Sequence, residues 1–333
     1  MHFVKLKSKR GINMSPSDLK LHEVSSIRRS MLLVFFEFGA WSGNKQDKQA
    51  SDELAISKNA STDGSIRVYK SVMSCKELKD CDKFGRNKRN QIHYKLAKEW
   101  AGPIRILPRT KQFEYKEQIT QAEVEYLGSG GLVDKFLDVY EWRIDDQRKI
   151  LGELFDEANY PSRVAIRSKF HWKHAFLPIQ EEGDFRVEVN DEGIEDLCSQ
   201  FSEFVDYQTV NLYADMLSEA ESKITNMIKQ LEVDPNKLKK DGTPMSPSLH
   251  ESTFKNVLSV LENLGDYNYR SDPKVRAARD KLRSAVEHVN IEILRTSEQA
   301  QEKTKISLAS AVKEVQEAQQ AYSSIDDIPS LGQ

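Results

Sequence analysis

Two histidines three residues apart, His171 and His174, lie in the stretch NYPSRVAIRSKFHWKHAFLPIQ (159–180). On a helix that spacing puts both imidazoles on one face, where a third ligand would let them hold zinc. On a strand the odd spacing sends the rings to opposite sides of the sheet, where they cannot share an ion. Phe170, Trp172, His174 and Phe176 alternate with His171, Lys173, Ala175 and Leu177, and Pro178 ends the run. This period of two predicts an aromatic strand with its histidines in structural places.

The other groupings that could carry chemistry also read as structure. GSGGLV (128–133) lacks the Gly-Lys-Ser/Thr ending of a P-loop. It also lacks the buried strand and third small residue of a dinucleotide fingerprint, so it reads as the flexible start of a helix. Cys75, Cys81 and Cys198 make an odd number at no metal-like spacing, which suits ordinary cysteines in a reducing cytosol. The adjacent acids Asp145-Asp146, Glu181-Glu182 and Asp326-Asp327 sit in polar stretches that predict solvated surface. No serine has the context of a nucleophile elbow. The expectation is a protein that is not an enzyme, with no catalytic residue, metal site or cofactor.

Charge departs furthest from the ordinary. Residues 1–111 carry 23 Lys and Arg against 11 Asp and Glu, a net of +12, whereas residues 112–333 carry 26 against 41, a net of −15. Such a basic segment points to a nucleic-acid or acidic partner. KLKSKRG (5–11), IRR (27–29), KFGRNKRNQIHYK (83–95) and RILPRTK (105–111) intersperse cations with aromatic rings. Single-stranded nucleic acid is held by that combination, cations tracking phosphates and rings stacking on bases. The candidate contacts are Arg28, Arg29, Trp41, Lys45, Arg67, Tyr69, Lys83, Phe84, Arg86, Lys88, Arg89, Tyr94, Trp100, Arg105 and Arg109. The competing reading is a basic surface that pairs internally with the acidic helices.

An α+β chain is expected to position these groups. SMLLVFFEFGAWSG (30–43) predicts a buried strand closing on a turn. GPIRILPRTKQFEY (102–115), with two prolines, predicts an edge strand or extended connector. Residues 44–64 hold almost no large apolar side chain and predict an exposed loop or frayed helix, while Ile92, Leu96 and Trp100, four apart, predict a helix near 85–100. Leu132, Phe136, Tyr140, Ile144, Leu151 and Phe155 form the stripe of an amphipathic helix that Tyr160-Pro161 stops. DFRVEV (184–189) would return as a hairpin partner of the histidine strand. A small antiparallel or mixed sheet from 30–43, 104–115 and 168–189 would then pack on helices.

Beyond it the chain reads as helical. A helix capped by Asn190 or Asp191 carries a stripe from Ile194 to Leu231, DPNKLKKDGTPMSPS (234–248) is a linker, and a short helix over 250–264 ends at Gly265. Ser271-Asp272-Pro273 opens roughly fifty residues of helix with a thin apolar seam. That seam predicts a coiled-coil hairpin or an oligomer contact through Leu282, Val286, Val289, Ile293, Leu308, Val312 and Val315. The expected domains are a basic segment (1–29), an α+β core (30–232), a Pro/Gly/Ser linker (233–249), a helical region (250–322) and a flexible acidic tail (323–333). The longest apolar run, MLLVFF (31–36), falls far short of the about twenty residues a membrane span needs, and no signal peptide precedes it, so a cytoplasmic protein is expected.

The strand into WSG (41–43), FLDVYEWRI (136–144), LGELF (151–155), and YPSRVAIRSKFHW leading into FLPI (160–179) together resemble the domain-of-unknown-function 3150 family of tailed-phage and integrative-element genomes. The match runs in patches over residues 30–210 and leaves out the C-terminal helices. What it implies is an accessory or adaptor role in a phage or mobile-element process, beside MoxR-like AAA+ ATPases or von Willebrand factor A-type proteins, in the host cytoplasm. It carries over no catalytic residue. SSIDDIPSLGQ (323–333) resembles the acidic tail by which bacterial single-stranded DNA-binding proteins recruit partners, although those tails end in Phe. The leading expectation is a non-enzymatic accessory protein working through protein–protein contacts or self-association. The alternative is a single-stranded DNA-binding protein in phage replication, recombination or transcription.

Overall fold

The computed structural model describes residues 27–179, 191–232 and 249–323 and has an α+β fold. β1 (Met31–Gly39), the apolar run anticipated above, lies inside a four-stranded antiparallel sheet. It pairs with β5 (Ile104–Pro108), Val34 opposite Arg105, and with β6 (His171–Leu177), Phe36 opposite His174. β4 (Lys98–Ala101) adds to the far side of β5. β2 (Asn44–Asp47) and β3 (Val68–Ser71) form a separate two-stranded ribbon that no apolar alternation announced.

One expectation changes here. The 102–115 stretch is no edge strand: β5 is internal, and Gln112 already begins a helix. Pro103 lies in the preceding turn and Pro108 ends the strand, so neither proline removes a donor from mid-strand. Of the exposed loop or frayed helix expected over 44–64, the helix is present as α1 (Lys48–Ser57) after the ribbon strand, its first turn capped by the Asp47 carboxylate accepting from Ala50 N. The proposed hairpin strand at 184–189, the N-terminal stretch 1–26, the linker over 233–248 and the tail from 324 lie outside the described residues.

Helices α2 (Lys76–Lys88), α3 (Gln112–Leu127) and α4 (Leu132–Leu151) cover one face of the sheet, with α5 (Arg163–Arg167) beside them. The helix expected near 85–100 starts nine residues earlier and gives way to β4, so Trp100 belongs to a strand. Gly131 precedes α4 as anticipated, and Gly130 N donates to Asp134 Oδ2 (3.0 Å) at its start. The buried layer is aromatic: Phe36 meets the edge of Trp172 (4.7 Å between centroids), and Phe84 stacks on Tyr126 at 6.0 Å and 3°. Buried tyrosines need hydroxyl partners. Tyr126 donates to Gly39 O and Tyr140 to Pro161 O, each at 2.9 Å.

The other face is covered by α6 (Asp191–Leu231), α7 (Glu251–Asp266), α8 (Pro273–Val286) and α10 (Glu298–Ser323), with the short α9 (Ile291–Thr296) between the last two. Tyr213 meets Tyr269 and Tyr322, Gln316 donates to Glu221, and His250 N donates to Gln230. Those pairings make α6, α7, α8 and α10 an up-down-up-down four-helix bundle. Asp272 caps α8 with Pro273 at its first position, as anticipated. The roughly fifty residues of helix expected after it are interrupted: Asn290 accepts from Glu292 N (2.8 Å) to start α9, and Ser297 Oγ accepts from Ala300 N (3.2 Å) to start α10.

The apolar seam is also reassigned. Leu282, Val286, Leu308 and Val315 are buried inside this bundle, with Val289 and Val312 packed against it, and only Ile293 (53% exposed) points outward. These residues form the interior of one chain. The seam expected to form a coiled-coil hairpin or an oligomer contact is covered within the chain, α8 and α10 packing on each other and α6 supplying the facing stripe. The bundle core continues into Ile27, Met31, Trp100, Ile106 and Ile179 on the sheet. Strand alternation makes this division, sending Met31 and Ile106 one way and Val34 and Leu107 the other. Fully buried Tyr267 rivets the layers, its hydroxyl against the carbonyls of Leu96 (2.8 Å) and Ile106 (3.4 Å).

Candidate nucleic-acid interface

After α2 the chain widens into a π turn, Arg89–Tyr94, a local device that often marks functional sites. It turns His93 inward, where Nδ1 shares a 2.8 Å hydrogen bond with Tyr115 Oη. Burial pushes the His93 pKa down to about 3, and the Arg105 and Arg89 charges add to the effect, so the ring is neutral at physiological pH. The same turn sets Tyr94 at the surface, 44% exposed.

Two guanidinium groups close on Tyr94. Arg89 lies 5.3 Å from its ring centroid and 5.7 Å from that of Phe38, and Arg105 lies 4.7 Å from Tyr94. Cations at these distances are held by the ring quadrupole. Arg105 Nε donates to Ala97 O (3.0 Å), while Arg89 Nε is buried with no hydrogen-bond partner among the described residues. Burial lowers the Arg105 pKa, and nearby Glu99 opposes that effect. Phe38 packs against α2 because residue 85 is glycine: a Cβ there would come within 2.2 Å of its ring. Gly102, at φ +55°, and Pro103 turn β4 into β5 at the far wall. The resulting cleft has a volume of about 390 Å³, within the range of small-ligand sites. Glu37 and Glu99 stand in its lining; Glu37 also meets His171 (3.1 Å) and Lys173 (3.9 Å).

The remaining candidate contacts do not join this cleft. Trp100 is 5% exposed in the bundle-side core and cannot stack on a base, a correction that follows from its place on β4. Phe84 is stacked on Tyr126 under Lys88, which pairs with Glu125 (3.5 Å). Arg86 pairs with Asp82 (2.8 Å) and, with Trp41, lines a second hollow of about 430 Å³. Lys45 bonds Asn159, and Arg28 Nε donates to Ile179 O (3.0 Å). Arg29, Arg67, Tyr69, Lys83 and Arg109 are exposed at scattered places. The internal-pairing reading also holds in part, since Lys88, Lys98 and Lys111 pair with Glu125, Glu219 and Asp266 of the acidic segment.

His171 and His174 fall on opposite faces of β6, as the strand reading requires, with His174 Nδ1 3.6 Å from Glu123. Among the described residues no three His, Cys, Asp or Glu side chains cluster as metal ligands would. Cys75 and Cys81 are buried, and burial pushes the Cys81 thiol up to about 12. Sequence reasoning missed His93, Phe38, Glu37 and Glu99. Only QIHYK, a histidine beside an aromatic in a basic run, hinted at the first. Among the described residues, no helix is long and apolar enough to cross a membrane. Compared with family models, curated proteins and solved structures, the chain matches none.

Proposed function

We propose that this chain is a non-enzymatic binding protein that holds single-stranded nucleic acid in the cleft between the π turn and the β4–β5 hairpin. The observation that carries the reading is Tyr94, half-exposed with guanidinium groups from Arg89 and Arg105 against its ring. Phosphates sit on the guanidinium edges and a base stacks on the open part of the ring. Side chains already parked on aromatic faces lose little freedom when they engage a phosphate. The resemblance to the mobile-element family supports an accessory place for this activity, beside a protein partner of the AAA+ or von Willebrand A type. Exposed Ile293 on α9 and Ile306 (64%) on α10 support such a protein contact.

Fluorescence anisotropy with a labelled oligonucleotide at low and high salt tests the proposal. Affinity should fall steeply with salt as neutralised phosphates release counterions. Replacing Arg89 and Arg105 together by Glu should abolish binding, and unchanged affinity would remove the cleft from the mechanism. Absence of binding at low salt would leave the accessory reading through protein contacts, tested by co-purification of a partner.

A further inference from the structure

We infer that the cleft selects guanine over the other bases. The inference rests on the nucleic-acid reading above and specifies which base the cleft takes. Glu99 and Arg105 are direct partners in the β4–β5 register, so a carboxylate and a guanidinium leave the same face of the sheet as neighbours. The register shifts between Glu99 and Ala101, the kind of irregularity that re-aims a side chain. Both residues line the cleft with Tyr94. Glu99 is nevertheless exposed and forms no ion pair among the described residues. Arg105 spends its Nε on Ala97 O and its face on Tyr94, which leaves its terminal amino groups for a ligand.

The pairing edge of guanine carries two adjacent donors, N1–H and N2–H, next to the O6 acceptor. A carboxylate accepts both donors side by side while a neighbouring guanidinium donates to O6. Adenine and cytosine put a ring-nitrogen acceptor where guanine has N1–H, and thymine flanks its one donor with two acceptors. Each of these sets a lone pair against the Glu99 carboxylate, so the two hydrogen bonds that guanine makes there are replaced by repulsion between acceptors. Tyr94 supplies the stacking platform common to all bases, so discrimination falls to the Glu99–Arg105 pair.

The test compares short labelled oligothymidylates carrying one central guanine or one central adenine, with wild type and Glu99→Gln. Wild type should bind the guanine strand about tenfold more tightly, the discrimination expected of a good bidentate contact. Glu99→Gln should bring that ratio close to one, while the adenine strand, meeting one less negative charge, binds no more weakly. Equal wild-type affinities with a steep salt dependence would overturn the guanine assignment and leave the nucleic-acid reading standing. A guanine preference that survives Glu99→Gln would overturn it as well. Failure to bind either strand at low salt would remove both readings together.

Discussion

Toward α2, α3 and α4, the sheet buries Phe36, Trp172, Tyr115, Tyr126 and Tyr140, with tyrosine hydroxyls tied to named backbone carbonyls and to His93. Toward the bundle it buries Met31 and Ile106 against a mainly aliphatic interior of Leu, Val, Ile and Ala from four helices. Rings carry faces, edges and polar tips, so an aromatic layer can stop short of closing and leave an ordered, partly polar cleft at its margin. Aliphatic side chains pack without direction and close the space they occupy. The cleft lies on the aromatic side, and the bundle braces it from behind through Tyr267, Lys98–Glu219 and Lys111–Asp266.

Substitutions can break that comparison, beginning with the two interiors. Phe136→Ala, on the aromatic side, should cost about 3–5 kcal/mol, and Leu308→Ala, in the bundle, about 2–5 kcal/mol, in urea unfolding, since both side chains are fully buried. Leu308→Ala should leave the mass in light scattering unchanged; a lower mass at unaltered stability would mean that Leu308 faces a second copy of the chain. Acidification separates the layers next. The His93 pKa is depressed from the ordinary 6.5 to about 3, so the unfolded chain takes up the proton first. Its contribution is fully present above pH 6.5 and is lost as pH falls toward 3, amounting to about 2–3 kcal/mol by pH 4.5. His93→Gln should flatten that part of the pH profile, and an unchanged slope would assign the loss to another group.

Tyr267→Phe probes the brace itself. It leaves the Leu96 and Ile106 carbonyls facing an apolar ring edge and should cost about 1–2 kcal/mol. A neutral result would mean the layers are held by apolar contact alone. The smallest effect belongs to the exposed Arg163–Asp138 pair, where Arg163→Ala should shift stability by less than about 0.5 kcal/mol in the same unfolding assay.

Much of the fold was legible residue by residue. The alternation around Trp172 announced β6 and put His171 and His174 on opposite faces, and the stripe from Leu132 announced α4, which ends at Leu151 before Gly152 and so short of the expected Phe155. The ribbon of β2 and β3 was hidden because NKQD and VYKS have no apolar side to bury. The long C-terminal helix was overextended because Asn290 and Ser297 act through side-chain caps, which leave the apolar spacing nearly undisturbed. Arg89, Tyr94 and Arg105 were legible as a type of contact but not as one place. Trp100 carried the same signal and lies in the core.

Periods of two and of 3.6, the charge division and the cap at Asp272 are properties of neighbouring residues, so the sequence by itself determined most elements and the basic character of the first third. Which cations meet, and on which ring, was decided by the pairing of β1 with β5 and of β5 with β4, by the π turn, and by the return of α6 to the C-terminal helices. Those joins bring together residues far apart in the chain. Their stability comes from area buried between elements, which no local spacing encodes.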